Sequence, residues 1–217
     1  MCHGLAEMSD TQTIGREKRL VYIPIIHTLA DMGTLGVSIQ RAKLSALGRQ
    51  SVARNAAAVE KLWTEIERVA GNLPVSPGRV RVYQDGLPVC GREQEIVSEL
   101  ADAGNRNQKL LLSLQARGAI LMGTESPELL VEEYQIASAA LASGGAAQAK
   151  IRQRPLRDTL LERRDRFVAD RINSTLRAGE TGILFMGMLH AVAGYLNSDI
   201  KVVYPLSPPP SRQRSVV

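Results

Sequence analysis

The chain has 217 residues, enough for one domain with a sizeable core, and its hydrophobic content of 44% is ordinary for a globular protein. Aromatic residues make up only 4%, which disfavours the stacking platforms that bind single-stranded nucleic acids. The formal net charge is +5, and much of the excess comes from the segment 152–166 and from the C-terminal tail.

The two ends of the chain lack the pattern of a packed element. Residues 1–18 are polar and aperiodic, which predicts a disordered segment, and they contain no apolar stretch of a secretory signal. Residues 207–217 are rich in Pro and Arg, which predicts a flexible tail. Cys2 and Cys90 make no spaced pair, so we expect no disulfide framework and a cytoplasmic location. No apolar run reaches the ~18 residues of a membrane helix, so no membrane partner is expected.

Between these ends, residues 19–206 alternate short apolar runs with amphipathic stretches. The apolar runs predict strands at 19–27, 79–84, 119–122, 181–189 and 200–204. The amphipathic stretches predict helices at about 37–70, 93–117, 127–142 and 157–177, the second of them broken near Gly104. This alternation predicts a single α/β domain with a mostly parallel sheet of about five strands and helices on both faces, and it leaves the strand order open.

Two residues give local predictions. Pro24 lies inside the first predicted strand and has no backbone N–H, so that strand should lie at an edge or be irregular at this point. Ser126 directly precedes Pro127, and we expect it to cap the helix that follows.

Polar side chains follow four of the predicted strands, at the point where each strand ends. They are His27 with Asp31, then Asp85, then Glu125, and finally His190. Because the carboxyl ends of parallel strands meet at one edge of a sheet, where ligands bind in open α/β folds, we expect these side chains to lie close together. Imidazoles and carboxylates are the ligands of hydrolytic metal centres. They also suit a metal-free arrangement in which a carboxylate orients a histidine as general base.

Each of these residues also has a structural interpretation, because strands end where the chain meets water. Asp31 can cap the long helix, and Asp85 can belong to an Asp-Gly turn. Glu125 can be favoured by the dipole of the helix that begins after it. Cys90 is a candidate nucleophile, but lone cysteines are usually inert.

The Arg-rich segment 152–166 alternates with acidic residues, which is typical of a solvated helix with many salt bridges. The alternative is a surface that contacts an acidic partner or nucleic acid, as part of a non-catalytic binding or assembly protein. The long amphipathic helices also leave a homo-oligomer open. No GxxxxGKS or GxGxxG pattern follows a predicted strand, so no nucleotide cofactor is expected.

Residues 162–165 (Glu-Arg-Arg-Asp) lie on a predicted helix that leads into an apolar strand ending in Gly-Met-Leu-His at 187–190. This arrangement resembles the closing segment of the TraB/Tiki/ChaN/erythromycin-esterase-like group, in which a helix with an Arg precedes a strand ending in GxxH. The first strand of that group also ends in a histidine, commonly as GxxH, whereas this chain has Pro-Ile-Ile-His at 24–27. The resemblance implies a metal-assisted hydrolase or a metal- or haem-handling protein, with His27, His190, an acid and Arg164 at the site.

The functional prediction is therefore a metal-dependent hydrolase that acts on a small-molecule or peptide substrate. We expect a divalent metal ion to be held by His27, His190 and Glu125, and Asp31 and Gly187 are the further candidates for contact with this cofactor. Arg164 is expected to neutralise an oxyanion. The residues expected to contribute to catalysis are His27, Asp85, Glu125, Arg164 and His190.

Overall fold

The computed structural model describes residues 17–26, 36–142 and 147–209. The strands are β1 (Lys18–Ile25), β2 (Val80–Gln84), β3 (Ile120–Met122), β4 (Thr181–Gly187) and β5 (Ile200–Val203). The helices in these ranges are α1 (Gly36–Asn72), α2 (Glu93–Asp102), α3 (Arg106–Ala116), α4 (Pro127–Ala142) and α5 (Ala147–Thr175), with a short 3-10 helix at Val192–Tyr195. Nearly all of the predicted N-terminal segment, and the tail from 210 onward, lie outside the described residues.

The five strands form one sheet in the order β3-β2-β4-β1-β5, and each neighbouring pair is parallel. The predicted α/β fold with a mostly parallel five-stranded sheet is confirmed. β4 lies at the centre, between β1 and β2, and its side chains from Gly182 to Gly187 are all buried. A strand that is covered on both faces has apolar residues at successive positions, which explains why the sequence 182–187 contains no polar residue.

Two hydrophobic cores cover the two faces of the sheet. The chain passes from β1 outward to β2 and β3 and then returns to β4 and β5, so right-handed crossovers direct the connections of the two halves to opposite faces. One core is formed by α1, α2 and α3 with Val21, Ile23, Val82, Ile183 and Phe185. The other is formed by α5 and the 3-10 helix with Leu20, Tyr22, Tyr83, Leu184 and Met186.

The connections diverge at the carboxyl ends of the two neighbouring strands β2 and β4. The chain after β2 leads to α2 on one face, whereas the chain after β4 leads to the 3-10 helix on the other. A crevice opens where adjacent connections turn to opposite faces, and it is the usual place for a ligand in an open α/β sheet. The residues that follow β2 and β4 are therefore the candidates for a ligand-binding site.

The prediction for Ser126 is confirmed, whereas the prediction for Pro24 holds only in part, because β1 lies inside the sheet and lacks a neighbour on one side only beyond Val21. β5 pairs with β1 from Lys18 to Val21 and then ends, so Pro24 lies opposite Met186 of β4 on one side and beyond the reach of β5 on the other. A residue without an N–H is tolerated at such a position. The hydroxyl of Ser126 accepts a hydrogen bond from the N–H of Leu129 at 3.2 Å, as expected of the cap of α4.

The helices differ from the predicted ones in two places. α5 begins at Ala147 rather than at 157 and continues through Pro155. Its first part lacks an apolar stripe but consists largely of good helix formers, so periodicity alone did not reveal it. α1 contains one residue with non-helical geometry, Gly48, at φ 74° and ψ 160°. The predicted break near Gly104 is confirmed, since α2 and α3 are separate helices. None of the helices described here is long and apolar enough to cross a membrane.

The turn that leads into β3 gives a test of the packing. Gly118 has φ 97°, and a Cβ added there would lie 2.8 Å from the Cα of Pro77, whereas Gly104 has the same φ with open space around it. We expect Gly104→Ala to lower the free energy of unfolding by about 1 kcal/mol through backbone strain. Gly118→Ala should lower it by about 2–4 kcal/mol, because the backbone at Pro77 must also move. Urea denaturation of both variants measures the difference, and equal losses would contradict the close contact at Pro77.

Candidate functional site

Asp85 and Glu125 are held at the edge of the sheet by backbone hydrogen bonds. Asp85 directly follows β2, and its N–H donates to the carbonyl of Phe185 in β4 at 2.9 Å. The N–H of Glu125 donates to the carbonyl of Leu87, and its own carbonyl accepts from the N–H of Val89, both at 2.9 Å. Asp85 is 5% exposed and Glu125 is completely buried. Both residues therefore lie in hydrogen-bonded backbone that continues the sheet just beyond β2 and β3.

His190 lies in a turn that follows β4. The strand ends at Gly187, and the N–H of His190 donates to the carbonyl of Gly187 at 3.0 Å, as in a β-turn. The sequence pattern had predicted a strand through 189 with His190 directly at its end. The turn instead keeps the imidazole buried beside the carboxyl ends of the central strands.

Asp165 of α5 determines the orientation of the His190 ring. One carboxylate oxygen of Asp165 lies 2.6 Å from Nδ1 of His190, and the other accepts the N–H of Ala191 at 2.9 Å. Because a carboxylate only accepts hydrogen bonds, Nδ1 carries the proton in the neutral ring. Nε2 then presents its lone pair and lies 3.7 Å from Oδ2 of Asp85.

Arg164, the residue before Asp165, joins the carboxylates of the site. Its Nη2 donates to Oδ1 of Asp85 at 2.8 Å and to Oε1 of Glu125 at 2.7 Å, and its Nε donates to Oε2 of Glu125 at 3.2 Å. Nη1 lies 2.8 Å from Oε1 of Glu133 in α4. Burial alone would lower the pKa of Arg164, but hydrogen bonding and charge pairing with these three carboxylates raise it above its ordinary value. Arg164 is therefore permanently charged, and it pairs with three carboxylates, those of Asp85, Glu125 and Glu133.

Burial has the opposite effect on Glu125. Burial raises the pKa of Glu125 to about 7, and the negative charge of Asp85 adds to this rise, although Arg164 and His190 act to lower it. The loss of hydration thus raises the pKa of Glu125 by more than the hydrogen bonds and the charge of Arg164 lower it. Glu125 consequently changes its charge near neutral pH.

Gly187 contributes through its backbone. Its N–H donates to Oδ2 of Asp85 at 2.9 Å. Together with Arg164 on Oδ1, this bond holds both oxygens of the Asp85 carboxylate. This hydrogen bond places the backbone of Gly187 at the candidate site. Direct contact of Gly187 with a cofactor stays a prediction.

Tyr22 of β1 belongs to the core below the site. Burial, followed by the negative charges of Asp165 and Asp85, raises the pKa of Tyr22 above its ordinary value, so its hydroxyl stays neutral. This hydroxyl is buried and has no hydrogen-bond partner among the described residues. The Tyr22 hydroxyl is thus a hydrogen-bond donor without a partner among the described residues, and the charges of Asp165 and Asp85 affect it. The apolar sequence of β1 gave no sign of a polar group at this place.

The structure brings together four of the predicted site residues: Asp85, Glu125, Arg164 and His190. Ligand atoms of Asp85, Glu125 and His190 lie within 4.8 Å of one another, and all three residues are buried. We call these three residues the carboxylate–histidine cluster. His27 and Asp31 lie outside the described residues, so the predicted meeting of His27 and His190 and the contact of Asp31 with a cofactor stay predictions.

Sequence reasoning missed two site residues, Asp165 and Glu133. Asp165 was counted among the acids of the Arg-rich segment. Its spacing contained a usable signal, because Asp165, Val168 and Ile172 follow steps of three and four residues along the buried stripe of α5. An acid on such a stripe needs a buried partner. Glu133 has no comparable signal, since its side chain is half exposed and resembles any surface acid.

Comparison with known proteins adds no assignment. No protein-family model, no curated protein and no solved structure matches this chain significantly. The resemblance to the TraB/Tiki/ChaN/erythromycin-esterase-like group therefore stays a prediction that rests on the sequence motifs alone.

The raised pKa of Glu125 makes the stability of the metal-free protein depend on pH. The ordinary pKa is about 4.5 and the folded-state pKa is about 7, so the stabilisation from protonated Glu125 is fully present below pH about 4.5 and is lost as the pH rises through 7. We expect the free energy of unfolding of the wild type, relative to Glu125→Gln, to fall by on the order of 2–3 kcal/mol across this range.

The measurement is urea denaturation at a series of pH values with a chelator present. Glu132→Gln is the matched control, because Glu132 is a partly exposed carboxylate on α4 that pairs with Arg163. The pH dependence of Glu125→Gln is compared with that of Glu132→Gln, which makes the same chemical change at a partly exposed position. A pH-independent difference for Glu125→Gln would contradict the raised pKa.

Proposed function

We propose that this chain is a hydrolase whose reaction takes place at the carboxylate–histidine cluster, and that the cluster binds a divalent metal ion. The observation that carries the proposal is the pair formed by Asp165 and His190, with 2.6 Å between the carboxylate and Nδ1. Metal-binding histidines commonly hold a carboxylate on the ring nitrogen that does not bind the metal. Nε2 of His190 is the remaining nitrogen, and it lies among the carboxylates of Asp85 and Glu125.

The donor set suits a divalent ion. It consists of one imidazole nitrogen and two carboxylate groups, all buried and within 4.8 Å of one another. Nitrogen and oxygen donors of this kind bind Zn²⁺, Mn²⁺ and Fe²⁺. Asp85 and Glu125 are already paired with Arg164, and a divalent ion would add a second cation beside the same two carboxylates. His27 is the additional ligand predicted from the sequence.

A bound metal ion would polarise a carbonyl or phosphoryl oxygen and lower the pKa of a water molecule. The remaining tasks fall to the chain itself. Asp165 keeps His190 in one tautomer and one orientation through two hydrogen bonds. Glu125 accepts hydrogen bonds from Arg164 on both of its oxygens, which hold the carboxylate in place beside Asp85 for metal binding.

Arg164 can assist a developing oxyanion only if one of its present partners moves. Asp85 and Glu125 are buried, whereas the Glu133 side chain is 51% exposed. Glu133 is therefore the partner that an anionic group of the substrate would displace from Nη1. The exchange of one anion for another leaves the Arg164 charge compensated throughout, which suits electrostatic stabilisation of a transition state.

The alternative function, a binding protein that uses the Arg-rich helix, receives less support from the contacts. Arg163 pairs with Glu132 at 2.8 Å, and Arg166 pairs with Glu162 at 2.7 Å. The Arg166 guanidinium also lies 4.6 Å from the ring centre of Tyr195. These internal partners resemble the solvated, ion-paired helix that the sequence pattern favours, and an acidic partner would have to compete with them.

Metal binding is tested with protein purified without a histidine tag and treated with a chelator. At a free Zn²⁺ or Mn²⁺ concentration of about 100 times Kd, linkage adds about 2.7 kcal/mol to the free energy of unfolding, so the Tm should rise by roughly 5–10 °C. His190→Ala and Asp85→Asn should lose most of this rise, whereas Glu132→Gln should retain it. An equal rise in the wild type and in both cluster variants, or no rise with any divalent metal, would refute a metal site at the cluster.

Hydrolysis is tested with the metal-loaded protein on a panel of chromogenic esters, anilides and phosphate esters. His190→Ala should lower kcat/KM by about 100-fold or more, as expected for loss of a metal ligand or a general base. Asp165→Asn should lower metal affinity or kcat/KM by about 10- to 100-fold, because it disturbs a supporting carboxylate. Glu132→Gln serves again as control. Absence of hydrolysis across the panel, or full activity in His190→Ala, would overturn the proposed reaction.

A further inference from the structure

Two consecutive ion pairs join α4 to α5 beside the carboxylate–histidine cluster. Nη1 of Arg163 lies 2.9 and 2.8 Å from the two carboxylate oxygens of Glu132, and both of these side chains are partly exposed. Nη1 of Arg164 lies 2.8 Å from Oε1 of Glu133. The two glutamates are neighbours on one helix, but only Glu133 contacts the buried guanidinium of the site. One pair therefore belongs to the surface and the other to the site.

Glu133 is the most easily displaced of the three carboxylates that contact Arg164. Asp85 and Glu125 are buried and accept hydrogen bonds from Nη2 and Nε. The Glu133 side chain, in contrast, is 51% exposed, so water can replace its contact. Burial lowers the pKa of Arg164, and among the carboxylates that raise it the charge of Glu133 has the smallest effect.

The side chain of Glu133 also marks a path from solvent to Nη1 of Arg164. The Arg164 side chain is only 4% exposed, yet a carboxylate reaches it from a residue that is half exposed. Rotation of Glu133 about its own bonds leaves a place beside Nη1 that is connected with solvent and has the size of a carboxylate group. Arg163 and Glu132 keep α4 joined to α5 meanwhile, so no helix needs to move.

The charges around Arg164 select the kind of anion that suits this place. A carboxylate carries the same single negative charge as Glu133 and matches the planar guanidinium. A phosphate monoester carries about −1.5 to −2 charges at pH 7, which adds repulsion with the neighbouring carboxylate of Asp85. A neutral carboxamide leaves part of the Arg164 charge uncompensated. A carboxylate is therefore the best replacement for Glu133.

We propose that the place of the Glu133 carboxylate beside Nη1 of Arg164 is a subsite for a carboxylate group of the substrate. Glu133 fills this subsite in the free protein and competes with the substrate for it. Nη2 of the same guanidinium contacts Asp85 and Glu125 of the cluster, so a carboxylate bound at Nη1 lies close to the reacting group.

The substrates implied are esters or amides that carry a free carboxylate near the bond to be cleaved, as in an N-acyl amino acid or the last bond of a peptide. This assignment to a substrate rests on the proposed hydrolase function. Binding of a carboxylate at Arg164 requires neither a metal nor hydrolysis, so it can be measured separately.

The binding test uses the isotopically labelled full chain, treated with a chelator and then dialysed free of it. Amide chemical shifts at Glu125, Tyr134 and Arg164 are followed during titration with acetate, acetamide or methyl phosphate at constant ionic strength. If Glu133 fills the subsite for about nine-tenths of the time, Glu133→Gln lowers the apparent Kd for acetate about tenfold. Glu132→Gln makes the same change in net charge at the neighbouring position and should keep the wild-type Kd.

In Glu133→Gln, acetate should bind more tightly than methyl phosphate, and acetamide should give no saturable shifts. Absence of saturable shifts with acetate in this variant, or an equal gain in affinity in Glu132→Gln, would overturn the subsite. Tighter binding of methyl phosphate than of acetate, or equal binding of acetate and acetamide, would overturn the assignment to a carboxylate.

The substrate role is tested with the metal-loaded protein on the p-nitroanilides of succinic acid and of succinamic acid, which differ only in carrying a carboxylate or a carboxamide. Glu133→Gln should raise the ratio of their kcat/KM values in favour of the carboxylate compound by about tenfold, and an unchanged ratio would overturn this role. Acetate binding without hydrolysis of any compound would remove the proposed function and retain the subsite. Hydrolysis without acetate binding would remove the subsite and retain the proposed function.

Discussion

The buried guanidinium of Arg164 joins the helical layer to the edge of the sheet. It is 4% exposed, and it contacts the carboxylates that follow β2 and β3, namely Asp85 and Glu125. Removing one partner from a buried ion pair leaves an uncompensated charge and typically costs about 3–5 kcal/mol. The docking of α5 against the sheet and the arrangement of the candidate site therefore depend on the same contact, and neither can change without the other.

The next residue, Asp165, uses this docking to orient His190. Two consecutive side chains of α5 thus control the two kinds of group in the site, the carboxylates through Arg164 and the imidazole through Asp165. Their precision comes from the core around Val168 and Ile172, which fixes the helix against the sheet.

The fold followed from the sequence because its signals are local. Apolar runs and amphipathic stretches alternate, and alternation of this kind favours parallel strands with helices on both faces. Ser126 acted as expected, since its effect depends on the residue itself and its immediate neighbours. The early start of α5 was missed because a helix without an apolar stripe has no periodic signal.

The candidate site was determined partly by the sequence and partly by tertiary structure. Asp85, Glu125 and His190 could be named in advance, because polar residues at the carboxyl ends of parallel strands must lie along one edge. The strand order, the turn that returns His190 to the sheet and the partners of Asp165 and Glu133 depend on contacts between distant segments, and a single sequence carries no direct record of such contacts. The sequence by itself determined which chemical groups reach the edge of the sheet, since that depends on chain order and strand direction. Only the tertiary structure decided which of those groups face one another, since that depends on how α5 packs on β2 and β4.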